Sequence, residues 1–112
     1  MSNCFLIQIV ASESTPDKEA EFNRWYTDVH VPMLFEFEGV KQVSRYMRKG
    51  DNEQCPKYLA IYEFESEEAL DAFHKSSAFT AAGADFEDKK EDTGFTIKWA
   101  STYERIKSWE RS

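Results

Sequence analysis

An α+β fold, with a four-stranded antiparallel sheet carrying helices on one face, is predicted by three observations. Strand-like apolar runs and segments of helical period follow one another in the order βαββαβ. A polar turn, GDNEQCP (50–56), joins two strand-like segments directly, so those two strands pair antiparallel. The chain has 112 residues, and no second apolar segment set is available for another core, so residues 1–112 are expected to form a single domain.

The first strand is NCFLIQIVA (3–11), a nearly continuous apolar run of the kind covered on both faces. Thr15 is placed to cap a helix that has Pro16 at its first position and Asp17 and Glu19 in its first turn. Phe22, Trp25, Tyr26, Val29, Met33, Leu34 and Phe37 then recur at three and four, one broad apolar stripe that runs to Gly39. VKQVSRYMRK (40–49) reads as strand two and KYLAIYEFE (57–65) as strand three, with Tyr58, Ala60, Tyr62 and Phe64 on one face. SEEALDAFHKS (66–76) is a second amphipathic helix with Ser66 as its N-cap. SAFTAAGADFEDKKEDTG (77–94) is expected to be short-helical or irregular, its acids forming a solvated face, and FTIKWASTYERI (95–106) is the last strand.

This order is the ferredoxin-like, or split-βαβ, plan, in which both helices cover the same sheet face. Strands so apolar on both faces do not leave one face to water, which predicts a homodimer closed sheet against sheet, as in a dimeric α/β barrel.

Composition narrows the function. A formal charge of -7 without a Lys/Arg cluster opposes binding to phosphate backbones, so no nucleic-acid partner is expected. No run of 18 apolar residues and no basic leader are present, which predicts an untargeted cytoplasmic protein with no membrane partner. Cys4 and Cys55 lack metal spacing and read as free thiols. No P-loop, G-x-G-x-x-G, Cys/His cluster or nucleophile elbow occurs, so neither metal nor cofactor is expected.

Phe22, Trp25, Tyr26, His30, Pro32 and Gly39 form the pattern F-x-x-W-Y-x-x-x-H-x-P followed by a Gly-containing turn. This pattern resembles the EthD-like group of the dimeric α/β-barrel superfamily. The resemblance implies a pocket between sheet and helices, and the superfamily includes polyketide cyclases, isomerases and haem-using monooxygenases. It also implies that the Phe5, Ile7, Ile9 face of strand one and the Tyr58 face of strand three point toward the helices. Where the cyclases carry an H-P-x-H run, this chain has Ser76, Ser77, Ala78 and Phe79, so that base is missing. For a haem ligand the available histidine is His74, beside Lys75 in a turn that reads as solvent-bordering.

Within WYTDVHVPMLFEF (25–37) a titratable ring and a helix breaker interrupt an apolar stripe. On a helical wheel His30 lies beyond Tyr26 and close in direction to Asn23, so the three can share one lip of a pocket. Pro32 cannot donate to the Asp28 carbonyl and biases Val31 away from helical geometry, which predicts a kink with a polar gap beside the imidazole. Asp28 itself reads as a solvated-face residue. The two readings of His30 are a proton-transfer residue and a core histidine bonded to a freed carbonyl. Pocket walls are expected from Phe5, Ile7, Phe22, Tyr62 and Trp99, with Trp99 alternatively a dimer anchor. Arg45 and Tyr46 point to opposite faces, and either one reaches a ligand oxygen; Tyr46 joins the candidate set.

The expected function is cofactor-independent acid/base catalysis of lyase/dehydratase, isomerase or cyclase type. Its substrate would be a small hydrophobic oxygenated molecule, aromatic or polyketide-like, with His30, Tyr26 and Asn23 catalytic. The alternatives are a non-catalytic small-ligand-binding or structural dimer, and a monooxygenase of the same superfamily.

Overall fold

The computed structural model describes residues 5–111. Strand β1 (Leu6–Glu13) leads through a 3-10 turn, Pro16–Lys18, into α1 (Glu19–Trp25), a π-helical turn (Tyr26–His30) and α2 (Val31–Phe35). Strands β2 (Gln42–Met47) and β3 (Tyr58–Phe64) form the expected hairpin, and α3 (Glu67–His74), α4 (Ser77–Thr93) and β4 (Thr96–Glu104) complete the chain. The sheet is antiparallel with strand order β2-β3-β1-β4, the ferredoxin-like arrangement. Cys4 lies outside the described residues; Cys55 is a free, exposed thiol.

The core sits between this sheet and the helices. Phe22, Trp25, Tyr26 and Leu34 pack from the helical side against Leu6, Tyr58, Ala60, Tyr62 and Phe64, with Phe73 and Phe95 closing the ends. Aromatic rings dominate: Phe22 lies 5.1 Å from Tyr58, 5.3 Å from Phe95 and 5.6 Å from Tyr26, in tilted or edge contacts that suit ring quadrupoles.

The register decides which side chains reach the helices. Leu6, Gln8, Val10 and Ser12 stand directly opposite Phe64, Tyr62, Ala60 and Tyr58, and opposed residues share a face. The helix-facing set of β1 is therefore the Leu6 set. Phe5 and Ile7, expected inside, belong to the outer face; β1 is apolar on both sides, so its own sequence does not fix the parity. Arg45 opposes Ala60 and points toward the helices, whereas Tyr46 opposes Leu59 and lies outside. On β4 a bulge between Ala11 and Ser12 shifts the count: Val10 opposes Ala100, Ala11 opposes Trp99 and Ser12 opposes Ile97. Ile97 thus faces inward and Trp99 outward, not together as strict alternation predicts.

Residues 77–93 correct a second expectation, because they form the longest helix of the described chain, α4, with 17 residues. Ser76 caps it by accepting from the Phe79 N–H at 3.1 Å, and Gly94 ends it in the left-handed region at φ 63°. Its sparse apolar positions, Phe79, Ala82 and Phe86, nonetheless follow helical spacing and turn toward the core. Ser66 caps α3 as expected, accepting from the Ala69 N–H at 3.1 Å. Gly39 is not left-handed; a Cβ there would meet the Phe37 ring, which packs against the glycine.

A Cβ at Gly94 would fall 2.6 Å from Thr15 Oγ1, adding a clash to the left-handed penalty. Gly94→Ala should therefore lower the stability by about 1–2 kcal/mol, measured by chemical denaturation; an unchanged midpoint would contradict this role of the turn.

Candidate functional site

Pro32 lacks the N–H that an α-helix would send to the Asp28 carbonyl, and its ring would crowd that carbonyl. The chain resolves the conflict by widening one turn rather than by breaking. The Val31 N–H donates to the Tyr26 carbonyl, a five-residue span, while Val31 itself keeps helical angles of φ -62° and ψ -46°. The kink expected from Pro32 is thus a π turn. One extra residue in a turn rotates everything after it by about 100° relative to what precedes.

That rotation separates the expected trio. Asn23, before the π turn, points toward β2: its Nδ2 donates to the Tyr58 hydroxyl at 3.0 Å and its Oδ1 accepts from Arg45 Nη2 at 3.0 Å. His30 turns instead into a second region, stacked on Trp25 with centroids 4.6 Å apart and edge-on to Tyr26 at 5.0 Å. Tyr26 and His30 are therefore together, and Asn23 is not with them.

His30 and Tyr26 border a cavity of about 250 Å³ enclosed by the sheet, the helical arm and α4. Its walls are Val10, Leu34, Phe73, Phe79, Ala82, Gly83, Phe86, Phe95, Ile97 and Ala100, and its polar lining is Gln8, Tyr26, His30 and Tyr62. Of the candidate residues, Tyr26, His30 and Tyr62 line it. Phe22 is fully buried behind Tyr26 and acts as backing rather than as wall. Phe5, Ile7, Tyr46 and Trp99 lie on the outer sheet face, and Asp28 is exposed as expected.

The polar groups are held in specific states. The Tyr26 and Tyr62 hydroxyls are 3.1 Å apart and buried. Burial raises both phenol pKa values, Tyr62 furthest, against the opposing influence of the Arg45 guanidinium, so both keep their protons at neutral pH. One of the two O–H groups bonds the other, and the second proton remains available to an oxygen in the cavity. For His30, burial lowers the pKa from 6.5 to about 4, with the Asp85 carboxylate pulling weakly the other way. The imidazole is neutral at pH 7, and its buried Nδ1 has no hydrogen-bond partner among the described residues. An unsatisfied buried nitrogen costs about 1–3 kcal/mol. The bond to a freed carbonyl, expected for a core histidine, is not made.

Two features had no counterpart in the sequence reading. Trp25 Nε1 donates to Asp85 Oδ2 at 2.7 Å, which ties α1 to α4 and fixes the indole on which His30 rests. Arg45 stands over the Tyr26 ring, 4.5 Å from its centroid. The sequence signals were a buried indole in need of an acceptor and a lone arginine on an otherwise aromatic sheet face. His74 is exposed at the end of α3, its Nε2 3.4 Å from Gln8 Oε1, and does not line the cavity. The donors and the space do not fit a haem, since about 250 Å³ is below the range of roughly 300–1,000 Å³ usual for ligand pockets. Among the described residues no group of three or more His, Cys, Asp or Glu could hold a metal, and no helix is long and apolar enough to cross a membrane.

A ferredoxin-like α+β domain with an apolar cavity between sheet and helices defines the fold class. Within it the chain belongs to the family described as "Domain of unknown function (DUF4286)", which matches residues 6–96. HapK from Hahella chejuensis has the same fold at a TM-score of 0.70 and 15% identity, over 96% of this chain and 98% of that one. An EthD family protein of Bacillus halodurans C-125 superposes at a TM-score of 0.63 with 14% identity, over 92% of this chain and 99% of that one. A dimeric ferredoxin-like protein of unknown function from Jannaschia sp. CCS1 superposes at 0.58 with 14% identity, over 83% and 94%. The EthD-like resemblance read from the helix motif thus holds at the level of fold. No curated protein matches the chain.

Because the folded-state pKa of His30 lies below its ordinary value, protonating it costs stability. The cost is absent above pH 6.5, grows as the pH falls, and is complete below about 4. Over that window the wild type should lose about 3 kcal/mol relative to His30→Phe. Equal losses in denaturant unfolding at each pH would contradict the buried neutral imidazole.

Proposed function

We propose that the protein is a cofactor-independent acid/base enzyme of isomerase, cyclase or dehydratase type, with His30 as proton acceptor. The observation that carries this reading is a neutral imidazole lining an otherwise apolar cavity beside two protonated phenols. The imidazole takes a proton from a carbon next to a carbonyl. The free phenol proton of the Tyr26–Tyr62 pair hydrogen-bonds the oxygen on which the negative charge collects. Returning the proton to another carbon gives isomerisation; attack of the enolate carbon on a second carbonyl carbon closes a ring as that C=O π bond opens and its oxygen takes the proton; returning the proton to a departing hydroxyl gives dehydration. Each outcome is redox-neutral.

The pKa of His30 narrows the substrate. A base near 4 is weak, so the C–H it takes must be acidic, as between two carbonyls. Five aromatic and aliphatic walls, Phe73, Phe79, Phe86, Phe95 and Ile97, favour a flat, largely apolar body. A small aryl or polyketide-like 1,3-dicarbonyl meets both demands. The same walls support a second reading, a carrier that binds such a molecule without chemistry.

Benzoylacetone is a suitable probe, with deuterium exchange at its methylene followed by NMR. The protein should accelerate exchange, and His30→Gln should lose at least about 100-fold of that acceleration. Binding without acceleration would establish the carrier; acceleration unchanged in His30→Gln would overturn the role of the imidazole.

The active form is proposed to be a homodimer closed through the outer sheet face. There Tyr103 is 50% exposed and Trp99 41%, beside Ile7, Ile9 and Ile61, an apolar area that monomers rarely leave open. Light scattering should report a dimer, and Ile9→Glu with Ile61→Lys should yield a folded monomer; a monomeric wild type would contradict the interface.

A further inference from the structure

The Arg45 side chain does not line the apolar cavity. Between α1 and the edge strand β2 it borders a separate hollow of about 210 Å³, lined by Asn23, Arg45, Tyr46, Met47 and Tyr58. We propose that this hollow is a second binding site, in which Arg45 receives the carboxylate of a small organic acid with an apolar body.

Hydrogen-bond accounting supports the site. A guanidinium carries five N–H donors. Arg45 uses Nη1 on Thr27 Oγ1 at 2.8 Å and Nη2 on Asn23 Oδ1 at 3.0 Å. Both acceptors are neutral, and the ion pairs among the described residues run elsewhere. The two bonds hold the fork in place and leave N–H groups for a ligand, so little side-chain entropy remains to be lost on binding.

Charge accounting points the same way. The neighbouring carboxylate is Glu19, which accepts from the Tyr58 hydroxyl and pairs with Lys57 Nζ at 2.6 Å. Glu19 and Lys57 cancel, and Arg45 supplies the net positive charge of the hollow. The guanidinium lies over three rings, 4.5 Å from the Tyr26 centroid, 5.4 Å from Phe22 and 5.6 Å from Tyr58. These rings stabilise the cation but also exclude water from its lower face, and an anion on the open face restores the lost solvation. Burial lowers the Arg45 pKa in accord with that lost solvation. In a protein of formal charge -7, a positive, half-desolvated hollow is a local exception that selects anions. Met47, 58% exposed at the rim, offers an apolar flank for the body of the acid, which a free phosphate could not use.

The test is a ¹⁵N–¹H NMR titration of the whole protein with sodium benzoate, and separately with inorganic phosphate, against sodium chloride at matched ionic strength. Benzoate should produce saturable shifts at Asn23, Thr27, Arg45 and Met47 in the millimolar range, and phosphate weaker ones. Arg45→Gln should weaken benzoate binding at least about tenfold, as expected on losing charge-assisted bonds, with Arg45→Lys between the two. No saturable shift at these residues in the wild type overturns the site. Benzoate shifts confined to the cavity around Ala82 and Gly83 also overturn it, and phosphate binding as tightly as benzoate overturns the assignment to an organic acid.

Discussion

A proline that cannot donate and a helix that cannot afford to break set the constraint on which this site depends. Pro32 falls where α1 and α2 must continue to cover the sheet, because Leu34 and Phe37 still have apolar surface to bury. A wide turn is the remedy that keeps both halves helical. It leaves Trp25 and Tyr26 anchored on the old helical face and turns His30 across them, so that ring stacking replaces a hydrogen bond as the imidazole's main support. The backbone adjustment and the unsatisfied nitrogen are parts of one arrangement.

The supports of this arrangement come from three directions. The sheet supplies Tyr62, whose hydroxyl meets that of Tyr26, and so couples the helix to β3 through a buried polar contact. Helix α4 supplies Asp85, which holds the indole under His30, as well as the outer wall of the cavity. From β2, Arg45 stands over the Tyr26 ring and is itself fixed by Thr27 and Asn23. Tyr26 is thus held by the Arg45 guanidinium over its ring, by neighbouring rings in edge contact and by Tyr62 at its tip. A side chain so constrained presents its proton with little freedom to lose, which is what preorganised electrostatic stabilisation requires.

Much of this was legible in the sequence. The order of elements, the hairpin, the Ser66 cap and the burial of the Tyr58–Phe64 face follow from period, turn residues and alternation, each a local signal. Three features were not legible, each for a physical reason. Strand β1 is apolar on both faces, so only pairing with β3 shows that Gln8, and not Ile7, faces the helices. The β4 bulge breaks an alternation that looks regular from Ile97 to Trp99. Helix α4 buries chiefly small residues between charges, so its amphipathicity is weak although both of its caps are strong. The histidine in the interrupted stripe was a sound pointer to the site, but a straight wheel carried Asn23 to the wrong side because it had no place for a wide turn.

The central claim, that a π turn aims the imidazole into the cavity, can be tested without any substrate. Couplings transmitted through hydrogen bonds link an amide nitrogen to the carbonyl carbon of its acceptor. In ¹⁵N,¹³C-labelled protein the Val31 amide should couple to the Tyr26 carbonyl, the five-residue span that the widened turn requires. A coupling from Val31 to Thr27 instead would restore an ordinary α-helix, return His30 to the side of Asn23, and contradict the geometry on which the proposed chemistry rests.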